Sequence, residues 1–454
     1  MTATTTATAT PAHVEAVFLR RPGKVERAAV VLIFFIYSFS LPNEWFIADR
    51  NEEISGGPIT QLTFLAFFGI AVLGLNGNWR IAGAAAAREP LIPALLGIAV
   101  LSTLWSGIPG TTLSNSAVLC FTYIIAIYLT VRFSLSEVLY LAGIAFAMGI
   151  ALNYFFIFAL PDTGVSITSG DTFAKWTGVF KSKNTLGRIA VLSALVFAMN
   201  SRLRRSFFVW PTLVLLAAVQ VLGSGSATSL AGLAAVAAFW VGFLGFRARK
   251  TLYGATVVMM VTAFSIITVT AATNLGGATA LVGRDTSFTG RLPLWQDSIE
   301  FGIMERLWLG HGWGAFWTGG GADFEVLLRA NFIAPHAHNA FIDAWLQGGP
   351  LAAIALTLIY VRGLFWSARN IRADKTVAGL FPALVISLGV IFSLTESGYV
   401  NRTSMFILLI VGVTHAAGNK GVVQPFKKPE GRENLVPQSH PGRLELGGGV
   451  DSAT

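Results

Sequence analysis

Two histidines separated by one residue, His336 and His338, precede a long apolar run that starts near Asn339. At a water boundary an imidazole, with an unperturbed pKa of about 6.5, can accept a proton at neutral pH. His338 is therefore a candidate general base. Two other interpretations stay open: Asn339 caps a helix and the histidines have no chemical task, or the pair binds a metal ion together with His311.

An arginine suited to phosphate binding, Arg291, lies in the segment 289–295, which ends in Trp295. The planar guanidinium makes paired, charge-assisted hydrogen bonds to phosphate oxygens and keeps its proton at any ordinary pH. The alternative is an exposed salt bridge with Asp285 or Asp297, which would contribute little to stability. The residue types alone leave both interpretations open.

Three cations, Lys181, Lys183 and Arg188, fall within eight residues at the start of another apolar run. A helix beginning here would add the positive end of its dipole, which favours an anion site. Arg188 lies about one turn inside the run, where an ionisable side chain is costly and is by default a functional candidate. The alternative is that it snorkels to the interface.

The elements that must position these residues are membrane spans. The chain is 54% hydrophobic and only 12% charged, which is too apolar for a soluble domain of 454 residues. Candidate membrane spans, apolar runs of 15 to 23 residues with approximate ends, occur at 28–44, 58–75, 90–105, 113–131, 138–160, 185–200, 207–223, 227–246, 252–273, 339–361, 377–395 and 403–417. We therefore predict an all-α polytopic membrane protein with about twelve transmembrane helices and one long periplasmic loop.

The predicted organisation is a disordered cytoplasmic tail at 1–26, a transmembrane domain at 27–417 and a second disordered cytoplasmic tail at 418–454. Residues 274–338 form the long periplasmic loop between the ninth and tenth spans. In this topology 22 basic residues lie on the cytoplasmic side and 10 outside, as the positive-inside rule requires. Most of those outside fall within 161–188 and 274–338, which favours an anionic partner such as a lipid phosphate.

Charge and cysteine content exclude two other classes of site. The net charge of +9 does not indicate nucleic acid binding, because the basic residues fall in short clusters between apolar runs. The single cysteine, Cys120, excludes a disulfide framework and a thiolate metal site within this chain.

Several short motifs together resemble the O-antigen ligase and polymerase superfamily, and look most similar to its exopolysaccharide polymerases. They occur in the family's order and topology over about residues 180 to 400. The motifs are FKSKNTLG at 180–187, TGR at 289–291 with Trp295, GHGWGAFW at 310–317, His338-Asn339 with Gly349, and Glu396-Ser397 before the last span.

The resemblance implies glycosyl transfer at the periplasmic face of a bacterial inner membrane, from a polyprenyl diphosphate-linked oligosaccharide, with no nucleotide sugar and no metal. His338 matches the family's essential histidine, and Arg291 matches the loop arginine that serves the diphosphate. Asp343 and Glu396 are candidate orienting partners for the histidine or for sugar hydroxyls. Further candidate substrate contacts are Asn184, Trp295, His336 and Asn339.

Three positions depart from the family pattern. The family often has an acidic residue where this chain has Gln347, a glycine where it has Ala352, and a basic residue where it has Ala227. The last departure removes the expected second cation for the diphosphate. Arg188 or Lys183 is the candidate substitute.

We predict an inverting, metal-independent glycosyltransferase that moves a growing polysaccharide from its lipid diphosphate carrier onto the next lipid-linked repeat unit. Chain-length regulators and export proteins are candidate partners, and nucleic acid is not. A ligase that transfers the finished glycan to lipid A core would share donor and chemistry. A flippase or ion-coupled transporter is the competitor of another class, but the spans show no mid-span charge and no evident repeat.

Overall fold

The structure is a computed structural model that describes residues 22–39, 58–167, 174–204, 208–246, 291–318, 323–330, 336–373, 377–397 and 403–418. Regular structure in these ranges is helical apart from one short antiparallel ribbon. The predicted span 252–273 and most of both predicted tails lie outside the described residues.

The first part of the chain forms helices joined by short turns. They are α1 Lys24–Phe39, α2 Pro58–Gly74, α3 Trp79–Arg88, α4 Leu91–Leu101, α5 Pro109–Arg132 and α6 Leu135–Ala159. A 3₁₀ turn, Ser102–Leu104, extends α4. The start of α6 is fixed by a capping box, in which Ser134 accepts from the amide of Glu137 and the Glu137 side chain bonds back to the amide of Ser134.

The second part carries the candidate site residues. Its elements are β1 Val165–Ser166, β2 Lys175–Trp176, α7 Lys183–Leu203, α8 Val209–Ser224, α9 Ala227–Phe246, α10 Arg291–Asp297, α11 Phe324–Ala330, α12 Ala340–Ala373, α13 Val377–Ser393 and α14 Ser404–Ala416. A π-helical turn, Ser298–Ile303, continues α10.

Eleven of the twelve predicted spans overlap helices of the described residues. Helices α5, α6 and α7 and residues 340–371 of α12 are long and apolar enough to cross a membrane, and α2 with α3, bent by 109°, makes a fifth span if the pair is counted as one. The remaining apolar helices are shorter. The chain is a multi-pass α-helical membrane protein, and the number twelve stays a prediction.

The packing brings the start of α7 next to the end of α13. Helix α7 packs along α6 and α8, and α13 contacts α12, α14, α9 and α7. Large buried side chains such as Phe197 in α7 and Phe381 and Phe392 in α13 fill the spaces between these helices. Close packing of this kind is what holds helices together in lipid, where apolar burial gives little driving force.

A buried amide pair ties the ribbon segment to the bundle. Asn153 in α6 donates to the side-chain oxygen of Gln220 in α8 over 3.3 Å, and its own oxygen accepts from the amide of Val179 over 3.2 Å. Both side chains are fully buried. The segment between β2 and α7 is therefore held against α6 and α8, which fixes where α7 begins.

The connection predicted as a long loop is a packed unit where it is described. Buried side chains from α10, the π-helical turn, α11 and the start of α12 form a second hydrophobic cluster: Leu294, Ile303, Phe316, Trp317, Val326, Ala337 and Leu346. The backbone amide of His311 donates to the carbonyl of Leu346, and that of Gly312 to the carbonyl of Gln347. The glycine-rich segment is thereby fastened to α12.

Helix α12 is broken near its first third. Gly348 and Gly349 leave helical geometry, and Gly349 has a φ of 71°. A β-carbon on Gly349 would lie 2.2 Å from the carbonyl oxygen of Trp308, so no side chain fits there. Unbroken, the 34 residues of α12 would extend about 51 Å, well beyond the roughly 30 Å of hydrocarbon. Residues 350–373 alone, about 36 Å long, suffice to cross it.

Candidate active site

A single buried carboxylate, Glu396, gathers the predicted site residues. Its Oε1 lies 3.1 Å from Arg291 Nη2, and its Oε2 lies 3.1 Å from His338 Nδ1. Arg188 Nη1 approaches the same Oε2 at 3.6 Å and His336 Nε2 at 3.9 Å. Glu396 sits just beyond the end of α13, where its amide bonds to the carbonyl of Phe392 and continues the helical turn. We call these five side chains the Glu396 cluster.

Arg188 reaches the cluster from the second turn of α7. Its Nε donates to the carbonyl of Asn184 and one Nη to the hydroxyl of Thr185, so the guanidinium folds back toward the start of the helix. Arg188 therefore points into the protein and has Glu396 as its counter-charge. Asn184 supports it through its backbone.

Arg291 is the first residue of α10, and its side chain is mostly buried. Burial lowers the pKa of Arg291, and the Glu396 carboxylate opposes that shift. Because the ordinary pKa of arginine is so high, the guanidinium remains a cation. Arg291 therefore forms a buried pair rather than the predicted exposed pair with Asp297; the other predicted partner, Asp285, lies outside the described residues. Trp295, one turn on, donates its indole N–H to the carbonyl of Ala337 over 2.7 Å and joins α10 to the histidine turn.

His338 has a backbone φ of 52°, and among the described residues it is the one non-glycine with a positive φ. A left-handed conformation is unfavourable for a side chain with a β-carbon, and such strain collects at functional sites. The next residue, Asn339, caps α12 by accepting from the amides of Phe341 and Ile342. The predicted helix cap is confirmed, and it coexists with the placement of His338 at Glu396.

His336 is held neutral beside its neighbour. Burial first, and then the charges of His338 and the two arginines, lower the pKa of His336 to about 3. Its Nδ1 accepts a hydrogen bond from the backbone amide of His338 over 3.2 Å. A neutral imidazole can accept in this way and a protonated one cannot. His336 therefore supports the strained backbone of His338.

Asp343 acts on the turn rather than on the imidazole of His338. Its two oxygens accept from the amide of Ala337 over 3.2 and 3.1 Å, and one also accepts from the indole of Trp317 over 2.7 Å. It also shares a hydrogen bond with the side chain of Ser397, whose oxygen accepts from the amide of Asn339. Asp343 and Ser397 thus brace the backbone on both sides of His338.

The cluster is built around an ionised carboxylate. Burial alone would raise the pKa of Glu396, but Arg188 and then the hydrogen bond from His338 hold that pKa well below its usual range. A carboxylate kept ionised by two guanidiniums accepts from the Nδ1–H of His338. The basic lone pair of that imidazole is then on Nε2.

Three side chains of the cluster are close enough to bind a metal ion: the potential ligand atoms of His336, His338 and Glu396 lie within 4.8 Å of one another. A divalent cation there would have to share the Glu396 carboxylate with two guanidiniums, which repel it. The geometry favours an anionic ligand. His311, predicted as a third metal ligand, is bonded instead through Nε2 to the carbonyl of Gly302 and is buried near Phe316.

Of the two predicted substitutes for the missing cation, Arg188 lies in the cluster and Lys183 does not. Lys183 precedes Arg188 by five residues on α7, which places it about 140° around the helix. Lys175 is one of the basic residues predicted to lie outside, but the sequence did not single it out as a ligand. The corner between α8 and α9 ends in Gly225, and a β-carbon there would lie 3.1 Å from the Nζ of Lys175. The lysine therefore covers the corner that leads directly into Ala227.

Residues 211–357 match the O-antigen ligase family (Wzy_C). Over 215 residues the chain is 29% identical to the exopolysaccharide production protein ExoQ of Rhizobium meliloti, an alignment that covers 44% of this chain and 48% of that protein. The predicted resemblance to the O-antigen ligase and polymerase superfamily is confirmed. The chain matches about half the length of this relative, so the activity of the whole protein is a proposal.

The family match and the geometry identify overlapping parts of the site. The matched residues include Arg291, the glycine-rich segment 310–317 and both histidines of the cluster. Arg188 and Glu396 lie outside the matched range and enter the site through their contacts with each other and with Arg291 and His338. Within the range, Gln347 accepts from the amide of Gly314 over 2.9 Å, so the residue that departs from the family pattern holds the glycine-rich segment.

Proposed function

We propose that the protein is an inverting glycosyltransferase that extends an exopolysaccharide from a polyprenyl diphosphate-linked donor. One observation carries the proposal: Glu396 binds a candidate base, His338, and two candidate diphosphate ligands, Arg188 and Arg291, within 3.6 Å. The site combines a proton acceptor with two guanidiniums that can donate hydrogen bonds to phosphate oxygens. Glycosyl transfer from a diphosphate needs both.

In the reaction, the acceptor hydroxyl oxygen attacks the anomeric carbon of the donor sugar from the face opposite the diphosphate. The new C–O bond forms as the bond to the diphosphate oxygen breaks, which inverts the configuration. The hydroxyl proton passes to Nε2 of His338, and Glu396 stabilises the resulting imidazolium. The leaving group carries away the electron pair of the broken bond as a lipid diphosphate.

The two guanidiniums stabilise the charge that develops on the leaving diphosphate. Arg291 can present a pair of N–H donors to two phosphate oxygens, and Arg188 adds a second cation from α7. Preorganised donors aimed at developing charge usually give the largest single contribution to catalysis. Glu396 holds both arginines in place before the donor arrives, so little reorganisation is needed at the reacting atoms.

Lys175 is a further candidate ligand of the donor. Its ammonium lies over the corner that precedes Ala227, where the superfamily pattern has a basic residue. A lysine carried by the ribbon would supply from β2 the charge that this chain lacks at the start of α9. Lys175 and Arg188 can be tested independently as donor ligands, because Lys175 lies on β2 and Arg188 on α7.

We propose that the site faces the periplasm and that both termini are cytoplasmic, in the inner membrane of a bacterium. The support is the distribution of basic residues together with the need to meet a lipid-linked oligosaccharide. Chain-length regulators and export proteins are the partners expected of such a polymerase.

A ligase that transfers a finished glycan to lipid A core is the second candidate, and the description of the matched family favours it. The purified protein in proteoliposomes, given lipid-linked repeat units, distinguishes the two. A ladder of lipid-linked polymer supports the polymerase. Transfer to lipid A core without a ladder would support the ligase instead. If neither product forms while the wild-type protein is folded and binds donor, both proposals fail.

A further inference from the structure

An apolar surface lies beside the break in α12, at the end of the bundle that carries the Glu396 cluster. We propose that the segment 304–309 inserts into the lipid leaflet at that end and anchors the candidate site to the bilayer. The side chains of Met304, Trp308 and Leu309 are 62, 74 and 53% exposed, although each is large and apolar. We call these three side chains the anchor patch.

The depth of the anchor patch is set by its contact with α12. The carbonyl of Trp308 occupies the position that a β-carbon on Gly349 would need. Immediately beyond the break, α12 exposes a stripe of apolar side chains at helical spacing: Leu351, Ile354, Leu358, Val361 and Phe365. In a membrane span such a stripe faces lipid hydrocarbon. Trp308 therefore lies where that hydrocarbon begins.

A second membrane-facing helix meets the patch from the other side. The indole of Trp105, just after α4, donates to the carbonyl of Leu309 over 2.9 Å, and Arg306 donates to the carbonyl of Trp105 over 3.0 Å. Leu101 and Leu104, at the same end of α4, are 55 and 81% exposed. The patch thus continues the apolar surfaces of α4 and α12.

The composition of the segment fits a lipid interface. Tryptophan is enriched where hydrocarbon meets headgroups, and arginine can lie along apolar surface while its charge stays among phosphates. Arg306, between Met304 and Trp308, is exposed and provides that charge. A soluble protein partner would have to reach a surface that is continuous with lipid-facing spans, so the bilayer is the occupant we infer.

Hydrogen bonds join the backbone beside the anchor patch to the packed segment between α10 and α12. The indole of Trp345 in α12 donates to the carbonyl of Leu307, and the imidazole of His311 bonds to the carbonyl of Gly302 just before the segment. α10, which carries Arg291, continues directly into this π-helical turn. Taken with the proposed function, on which this consequence alone rests, the anchor sets the height of Arg291 relative to lipid headgroups.

The test uses nitroxide labels in a Cys120→Ala background, with the protein reconstituted in phosphatidylethanolamine and phosphatidylglycerol vesicles. Labels on Trp308→Cys and Leu309→Cys are compared with Leu358→Cys, in the lipid-facing stripe, and Glu325→Cys, on the exposed face of α11. Electron paramagnetic resonance measures collisions with oxygen, which concentrates in lipid, and with a water-soluble nickel chelate.

We expect labels at 308 and 309 to collide more with oxygen than with the nickel chelate, as at 358, and the label at 325 to show the reverse. Nickel collisions at 308 and 309 equal to those at 325 would overturn the proposal. Protection from both reagents would also overturn it, because the patch would then be covered by protein. Neither result depends on activity, so failure here is distinguishable from failure of the proposed glycosyl transfer.

Discussion

The Nδ1 atom of His338 lies 3.1 Å from the Oε2 atom of Glu396, although 58 residues separate them in the chain. A carboxylate in this position selects the tautomer with its proton on Nδ1 and stabilises the imidazolium formed when Nε2 takes a second proton. The same carboxylate also binds Arg291. In the proposed mechanism, proton transfer and diphosphate binding therefore depend on one side chain.

The base should be identified by comparing the two histidines. We expect His338→Ala to lose about 10²- to 10⁴-fold in turnover, because that is the usual contribution of a general base. His336→Asn should keep most activity, since the amide oxygen can replace Nδ1 as acceptor for the His338 amide. The measurement is polymer formation from purified lipid-linked repeat units, with donor binding measured in parallel.

Equal activities in these two variants would remove the grounds for assigning proton transfer to His338. The same conclusion would follow if His338→Ala lost donor binding as completely as turnover. Thermal unfolding of each purified variant shows whether activity was lost only because the protein no longer folds. This control is needed because His338, a left-handed residue at the start of α12, contributes to the local fold.

Arg291→Lys keeps a positive charge but removes the planar pair of donors. The transition state should lose roughly 2 to 4 kcal/mol, by analogy with the removal of an oxyanion donor. The matched control is Arg329→Lys on the neighbouring α11, where the arginine forms an exposed pair with Glu325 at 3.8 Å. We expect the control to be unaffected, and a normal rate for Arg291→Lys would mean that the guanidinium fork is unnecessary.

Glu396→Gln should lower both turnover and stability. The amide cannot hold Nδ1–H as a carboxylate does, and in a comparable carboxylate–histidine pair such a change costs about 10⁴-fold in turnover. Removing one partner from a buried charge cluster typically costs about 3 to 5 kcal/mol of stability. Glu325→Gln, at an exposed site, is the control.

A double-mutant cycle with Arg188→Gln measures how strongly Arg188 and Glu396 stabilise each other. If the carboxylate and Arg188 interact, the loss in melting temperature for the double variant should be clearly smaller than the sum of the single losses. Additive losses would show that the 3.6 Å approach of these groups has no energetic weight.

Stability should fall as the pH is lowered, because His336 stays neutral in the folded protein. Its pKa is about 3 in the folded protein against 6.5 for the free side chain, so between these values the unfolded chain binds a proton that the folded chain does not. Melting temperature in detergent should therefore decline as pH falls below about 6.5. It should decline further below 4.5, the ordinary pKa of Glu396, because the unfolded chain then binds a proton that the folded carboxylate does not. His336→Asn should flatten the first part of this profile.

The proposed topology is tested by cysteine labelling in a Cys120→Ala background. Glu325→Cys should react with a membrane-impermeant maleimide in cells whose outer membrane alone is permeabilised, and Arg80→Cys should react only after the inner membrane is opened. The reverse pattern would place the Glu396 cluster in the cytoplasm, where a lipid-linked oligosaccharide awaiting polymerisation is not expected.

Apolar run length was enough to predict most of the helices, but not how they bend. The break in α12 falls at Gly348-Gly349-Pro350, whose residue types disrupt a helix but do not shorten an apolar run. The contact between Gly349 and the carbonyl of Trp308 depends on tertiary packing and has no local pattern. The two-residue strands β1 and β2 are too short to produce a period. Helix α3, with its alanines and two arginines, is polar enough that we predicted no span there.

The site was predictable where a residue type was out of place. Arg188 inside an apolar run and His338 before another are such cases, and the structure brings both to one carboxylate. Glu396 was predicted as a possible partner of the histidine, and it contacts His338. That it also binds both arginines was not predictable, because those contacts depend on how α7, α10 and α13 pack together. Lys175 was counted among the basic residues outside, but its approach to Gly225 was not predictable, since it depends on how the ribbon folds onto α8.

The distance along the chain between Arg188 and Glu396 has a consequence for biogenesis. The ribosome adds about 5 to 20 residues per second, so roughly 10 to 40 seconds pass between synthesis of the cation in α7 and synthesis of its counter-charge. During that interval Arg188 must reach water or headgroups, because an unpaired guanidinium is not stable in hydrocarbon. We therefore expect helix α7 to reach its final position only after Glu396 has been synthesised, so that a nascent chain holds no assembled site before then.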